Sequence, residues 1–263
     1  MLPGVMEIVT SADGTPIATR TIGAGPTVVI VGGALSTARD AGALAQAFAD
    51  AGLRAVTYDR RARGDSGDAT VADPSREAED LAAVISASGS DAAVVGHSSG
   101  AVLALYAAGE GVSMTRLFLS EPPFRFGVDD PASDLADRLQ ALVDDGRPGD
   151  AVVLFQREGV GLPDAFIEQF RASPAFEQVA PLGRSTVYDT LVTKRVSTPT
   201  AAMLRVRMSV TILRGSETMP ILVAAASRLA AAMPDAEFVE VPESIGHRMD
   251  PEATARVVAD RLI

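Results

Sequence analysis

Within VVGHSSGAV, residues 94–102, Ser98 stands between two glycines in the pattern Gly-x-Ser-x-Gly. A serine alcohol attacks a carbonyl carbon when a neighbouring base takes its proton and amide N–H groups receive the oxyanion that forms. The pattern is weak alone in a chain with 23 glycines. Its flanks strengthen it: DAAVVG reads as a strand entering the motif and AVLALYAAGEG as a helix leaving it, so Ser98 would sit on a sharp strand-to-helix turn. Gly96 and Gly100 would leave room for that bend and for the helix to pack on the sheet. An ordinary serine in a glycine-rich bend is the competing reading. Ser99, opening the helix, would aim its backbone N–H at an oxyanion with help from the helix N-terminus. A second donor is expected from the loop after TVVIV, where VGGALS offers the N–H of Ala34; a plain strand exit would also account for Gly32 and Gly33.

The chain holds two histidines and no cysteine. Any imidazole base is therefore His97 or His247, and a thiolate metal site, a histidine-rich metal cluster, a disulfide and a cysteine nucleophile are all excluded. His97 is expected to pack beneath the turn, because neighbouring side chains on a strand point to opposite faces. His247 lies in SIGHRMDP, after the last expected strand, at the carboxyl edge of the sheet where sites of open α/β folds gather. A loop histidine that merely caps a turn is its alternative. The chemistry outlined needs no cofactor and no metal.

The elements that must position these groups follow from periodicity. VMEIVT (5–10) and PIATRTI (16–22), separated by SADGT, read as a hairpin. TVVIV (27–31), RAVTY (54–58), AAVVG (92–96) and RLFLS (116–120) are short continuous apolar runs of the kind buried on both faces of a parallel sheet. TARDAGALAQAFADAG, PSREAEDLAAVISASG and SSGAVLALYAAGEG between them read as helices. From about residue 124 to 205 no buried strand is evident; PASDLADRLQALVDDG, RPGDAVVLFQREG, LPDAFIEQFRA and RSTVYDTLVTKR look like short helices joined by Gly and Pro. Strands resume with SVTILRG (209–215) and EFVEVP (237–242), flanking a helix over 220–233. A last helix begins at Pro251, with Asp250 placed to cap it. The expected architecture is an α/β fold: a mostly parallel eight-stranded sheet flanked by helices, formed by residues 1–123 and 206–263, with a helical cap over 124–205.

Composition agrees with a globular chain of 263 residues, 47% hydrophobic and 22% charged. A formal net charge of -11 repels phosphate backbones and anionic membranes, so neither nucleic acid nor a membrane surface is an expected partner. MLPGVMEIVTSADG has no basic start followed by an apolar run, and Arg228 interrupts the longest alanine-rich segment, so a cytoplasmic address is the default expectation. A homodimer is left open.

Taken together, these segments resemble the α/β-hydrolase fold family over nearly the whole chain. VVIVGGA looks like the family's oxyanion strand and loop, YDRRARGDSGD like the loop after its next strand, GHSSG like its nucleophile elbow and PESIGHRMDPE like its histidine loop. The order serine, acid, histidine is also the family's. Gly32 stands where many members have histidine, and Ala62 where many have glycine; neither departure removes a catalytic group. The resemblance implies a carboxylate that accepts from the histidine's other nitrogen. In many members it is an aspartate at a spacing that falls here on Thr218, which cannot do that work. Two glutamates remain. Glu121, in LFLSEPPF, follows the strand after the elbow, where some members, lactonases that open the mycotoxin zearalenone among them, look similar in using a glutamate followed by proline. Glu217 is the alternative acid, one residue from Thr218. A solvated strand end would otherwise explain Glu121, and a helix N-terminal acid Glu217.

Seven of the twelve aromatic residues fall in the inserted segment: Phe124, Phe126, Phe155, Phe166, Phe170, Phe176 and Tyr188. They could wall an apolar site over the catalytic groups, although Phe166 and Phe170, four apart, are also spaced to pack a helix's own core. The expected activity is hydrolysis of a small to medium, largely uncharged carboxylic ester or lactone, Ser98 forming an acyl-enzyme and His247 relaying the proton. A non-hydrolytic protein of this fold, either a carbon–carbon or cyanohydrin lyase or a ligand receptor, is the alternative. An NADP-dependent oxidoreductase ranks below both: TVVIVGGA and VTYDRR imitate a glycine turn and a second-strand acid with nearby arginines, yet the spaced glycines and a tyrosine-lysine pair are lacking.

Overall fold

The strands follow the order β1-β2-β4-β3-β5-β6-β7-β8 across one sheet in a computed structural model that describes residues 5–89 and 91–263. The first four residues of the N-terminal stretch lie outside the described residues. Strands β1 (Val5–Thr10) and β2 (Pro16–Gly23) form the expected hairpin, and β2 runs antiparallel to β4 (Arg54–Tyr58). The remaining neighbours, β3 (Thr27–Val31), β5 (Ala92–His97), β6 (Arg116–Ser120), β7 (Ser209–Glu217) and β8 (Glu237–Ile245), pair in parallel with one another, as does β3 with β4.

The continuous apolar runs are double-faced, and their period of two divides the core. Val28, Ile30, Ala93, Val95, Phe118 and Leu213 face helices α1 (Gly42–Asp50) and, at the far end of the chain, α10 (Pro251–Ala259). Val29, Val31, Val94, Leu117, Leu119 and Ile212 face α2 (Pro74–Ala87) and α3 (Ser99–Gly109). Asp250 caps α10 as its position suggests, accepting from the Ala253 N–H at 2.8 Å. Helix α1 starts later than the sequence implies. Residues 37–41 turn instead, because the Asp40 carboxylate binds the Thr37 N–H at 2.8 Å and buried Asp59 holds the Ala38 N–H at 2.7 Å.

Among the described residues no strand falls between Ser120 and Ser209. That stretch holds α4 (Leu135–Asp144), α5 (Pro148–Leu154), which runs on into a π-helical turn (Phe155–Val160), α6 (Asp164–Arg171), α7 (Pro174–Val179) and α8 (Gly183–Arg195). Helix α7 is an addition to the sequence reading. The last pair around the sheet is completed by α9 (Pro220–Ala232), between β7 and β8. No helix among the described residues is long and apolar enough to cross a membrane.

The aromatic wall does not form as a unit. Phe124 is buried in the main core with Phe126 edge-on against it. Phe170 packs edge-to-face on Phe176, Phe166 is 54% exposed, and buried Tyr188 spends its hydroxyl on Asp68 at 2.5 Å. Only Phe155 joins the apolar cluster of Leu135, Leu139, Ala151 and Val187, against which Ala34 and Leu35 pack. A mainly aliphatic cluster with one phenylalanine, rather than an aromatic face, therefore covers the loop after β3.

Candidate active site

Strand order places the site. The chain leaves β3 toward β4 on one side and returns to β5 on the other, so the loops after β3 and β5 part and open a crevice at their carboxyl ends. Val31 is in register with Gly96, which brings the Gly32–Gly33 backbone beside the turn that carries Ser98. A Cβ built on Gly96 would stand 2.6 Å from Ala101 Cα, and one on Gly100 would run into the carbonyls of Val31 and Gly32. Both glycines are thus dictated by backbone passing backbone.

Ser98 has φ 53° and ψ -125°, a conformation costing on the order of 1–3 kcal/mol for a residue with a side chain. Glu121 (φ 48°) and His247 (φ 60°) share positive φ, so three of the seven such non-glycine residues described meet at one point. Hydrogen bonds between strand ends hold them there. Ser98 N–H donates to Ser120 O at 2.9 Å, Glu121 N–H to Leu213 O at 3.0 Å and Gly246 N–H to Glu217 O at 2.7 Å.

The side chains converge accordingly. His247 Nε2 lies 3.0 Å from Ser98 Oγ, and its Nδ1 lies 2.5 Å from Glu121 Oε2. Glu121 is 3% exposed. Burial opposes its charge, but the bonds from His247, from Gly215 N–H (3.0 Å) and from the Thr218 hydroxyl (3.0 Å) prevail and hold the carboxyl below its usual range. Its contribution to folding is therefore present above the ordinary carboxylate pKa and lost as the pH falls through the lower folded value. An ionised carboxylate only accepts, so Nδ1 carries the imidazole proton and Nε2 is left to accept from Ser98.

The choice between glutamates follows from this geometry. Glu217 is exposed at the end of β7, and its carbonyl, not its carboxylate, takes part by anchoring the histidine loop. Nor does it sit in the first turn of α9, which begins three residues later and has no acid there. Thr218 lends its hydroxyl to Glu121.

Ala34 and Ser99 are the two residues whose N–H groups the sequence offers to an oxyanion. Among the described residues neither N–H donates to a protein acceptor, while Ser98's own N–H is occupied. A Cβ on Gly33 would stand 3.1 Å from Ser98 Cβ and 3.2 Å from His97 Nδ1. Gly33→Ala is therefore expected to displace the alcohol by a few tenths of an ångström and lower kcat about tenfold with little change in Tm; steady-state kinetics beside a melting curve check it.

His97 packs on His247 with ring centroids 4.7 Å apart. Burial, reinforced by His247, pushes its pKa down to about 3, so it stays neutral and adds no charge beside the base. Ligand atoms of His97, Glu121 and His247 all lie within 4.8 Å of one another. A tetrahedral ion at about 2.0–2.2 Å from each ligand would hold them roughly 3.4 Å apart, whereas Glu121 and His247 stand at hydrogen-bonding distance. The pair fits proton relay better than metal ligation.

A model of the alpha/beta hydrolase family matches residues 28–261. The chain belongs to the alpha/beta hydrolase family. Among solved structures, this alpha/beta hydrolase is similar to one from Sphaerobacter thermophilus DSM 20745, with 39% identity, a TM-score of 0.88, and 97% of this chain and 99% of that one covered. A hydrolase from Pseudomonas aeruginosa PA01 (19% identity, TM-score 0.74, 98% of each chain) and an esterase from Exiguobacterium antarcticum (18%, 0.71, 98% and 99%) share the fold. No curated protein matches the sequence.

The arginines that imitate a dinucleotide site have another use in this alpha/beta hydrolase. Arg60, Arg61 and Arg63 are fully buried. Arg60 forks onto Glu77 (2.8 and 2.9 Å) and Arg61 onto Asp80 (2.7 and 2.6 Å), while Arg63 Nη2 donates to both oxygens of Asp189 (2.9 and 2.8 Å), leaving none of the three guanidinium groups free for a ribose phosphate. Sequence reasoning did not single out Glu77, Asp80 or Asp189; three arginines in four residues just after a buried strand were the available signal. Ala62 between them has φ 61°, a left-handed conformation that glycine adopts more readily than alanine.

Proposed function

We propose that this protein is a serine hydrolase that cleaves small to medium, largely uncharged carboxylic esters or lactones through an acyl-enzyme on Ser98. The observation that carries the reading is the continuous hydrogen-bonded line from Glu121 through His247 to Ser98, beside the N–H groups of Ala34 and Ser99. Ser98 Oγ attacks the carbonyl carbon as its proton passes to His247 Nε2, and the oxyanion takes the two N–H groups. The tetrahedral adduct collapses, His247 gives that proton to the leaving alkoxide, and the acyl group stays on Oγ. Water then attacks the acyl carbon by the same relay, releasing the acid and restoring the alcohol. Glu121 remains ionised throughout and offsets the imidazolium charge.

The substrate class rests on the apolar cover over the loop after β3, where Leu135, Leu139, Phe155 and Val187 meet Ala34 and Leu35. A panel of p-nitrophenyl acyl esters, aliphatic lactones and their carboxylate-bearing analogues tests it, with an alkyl fluorophosphonate to label the nucleophile. Turnover of neutral esters or lactones and a single adduct on Ser98 are expected. Preference for the carboxylate-bearing substrates removes the substrate class. A labelled Ser98 with no turnover of any ester or lactone turns the reading toward a lyase or receptor.

A further inference from the structure

We infer that Asp189, on α8 of the helical segment, is a positioning residue for the oxyanion-binding peptides, acting through Arg63, Arg60 and Ser99. The inference rests on the hydrolase reading above and deepens it. It starts from a buried ion cluster that the proton relay does not use.

The Gly33–Ala34 peptide is the one to follow. Its N–H belongs to Ala34, and its carbonyl oxygen accepts from Arg63 Nη1 at 2.5 Å and from Ser36 Oγ at 2.8 Å. A trans peptide is planar, so fixing the oxygen on one side fixes where the N–H points on the other. A cationic donor on the oxygen also polarises the amide and makes its N–H a stronger donor. The preceding carbonyl, Gly32 O, accepts from Arg60 Nη1 at 3.2 Å. Two successive peptides of the oxyanion loop are thus held by two buried guanidinium groups.

Asp189 holds both guanidinium groups. It is 0% exposed, and its carboxylate takes Arg63 Nη2 on both oxygens (2.9 and 2.8 Å) and Arg60 Nη1 on Oδ1 (2.9 Å). Its Oδ1 also accepts from Ser99 Oγ at 2.7 Å, and Ser99 supplies the second oxyanion N–H. One carboxylate on the helical segment therefore reaches both donor peptides, 90 residues from Ser99 and 126 from Arg63 in sequence. With Glu77, the set of two arginines and two acids is neutral.

Removing the charge of Asp189 has two opposing effects. An uncompensated cation near the oxyanion would favour it by Coulomb attraction alone. Against that, Arg63 loses the carboxylate it is paired with, in a site where burial already lowers its pKa and Arg60 lowers it further. A buried guanidinium so placed turns toward water or toward other acceptors, and Gly33 O loses its cationic donor. Geometry then outweighs the added charge, because the oxyanion is served by N–H groups in contact with it.

The test is Asp189→Asn in the full chain, with active sites counted by end-point phosphonylation so that kcat is expressed per competent Ser98. A fall of about 10- to 100-fold in per-site kcat is expected, less than the loss of a whole oxyanion donor, with KM within about threefold. Affinity for a trifluoromethyl ketone, which forms a tetrahedral adduct on the serine, should fall in parallel with kcat/KM. A merely structural role would lower the number of titratable sites and leave per-site kcat alone. Should Asp189→Asn not fold, Arg63→Lys gives the same readout, since one ammonium cannot serve both Gly33 O and the carboxylate as the guanidinium fork does. Per-site kcat within threefold of the parent in whichever variant folds overturns the inference by itself. A parent that takes no phosphonate and hydrolyses no ester overturns the hydrolase reading, and this inference with it.

Discussion

Ser98→Ala is expected to lower kcat for a good ester substrate by about a millionfold, His247→Ala by a similar factor, and the double variant no further than either. The reason is that alcohol and imidazole act as one device. With Ser98 Oγ 3.0 Å from His247 Nε2, the base has no other proton to take and the alcohol no other base to take it. A residual rate above the uncatalysed reaction should persist, on the order of a thousandfold, because the N–H groups of Ala34 and Ser99 still bind the oxyanion of a carbonyl attacked by water. Single-turnover assays on extensively purified variants, with covalent labelling as a control for contaminating parent, measure this. Additive losses in the double variant would mean that the two residues work independently and that the proposed relay is wrong. Melting temperatures should stay close to the parent's, since the strain at position 98 is held by backbone bonds that alanine retains.

The second large effect separates the two glutamates. Glu121→Gln should lower kcat by about a thousandfold or more, while Glu217→Gln should leave it within about threefold. Glutamine at 121 removes the negative charge that offsets the imidazolium. It also replaces an acceptor-only group by one that can donate, which favours the imidazole tautomer with its proton on Nε2, facing the alcohol it should deprotonate. Glu217 reaches the site only through its carbonyl, which glutamine keeps. Parallel kcat measurements on one chromogenic ester decide the matter. A crippled Glu217→Gln beside a near-normal Glu121→Gln would reassign the acid.

What could be read from the chain without coordinates follows the range over which each signal acts. Strand and helix alternate because burial of a short apolar run is decided within a few residues, and β3, β4, β5 and β6 fall where those runs lie. The elbow is local as well: strand, glycine, serine, glycine and helix are contiguous. His247 was legible for another reason, scarcity, since a chain with two imidazoles offers few choices of base.

Tertiary structure decided everything that depends on which buried charge meets which. Glu121 and His247 are 126 residues apart, and the exclusion of Glu217 turns on which way one side chain faces at the end of β7. The arginines at 60, 61 and 63 imitate a dinucleotide site in the sequence, and nothing there reveals that folding encloses them with Glu77, Asp80 and Asp189. A charge in the sequence carries no mark of its partner, because ionic attraction is set by separation in space and by the water excluded around it, and neither exists until the sheet and its helices have closed. Hydrophobic periodicity is therefore enough to place the scaffold and the turn that carries Ser98, while the meeting of Glu121 with His247 and of Asp189 with Arg60 and Arg63 comes only with packing.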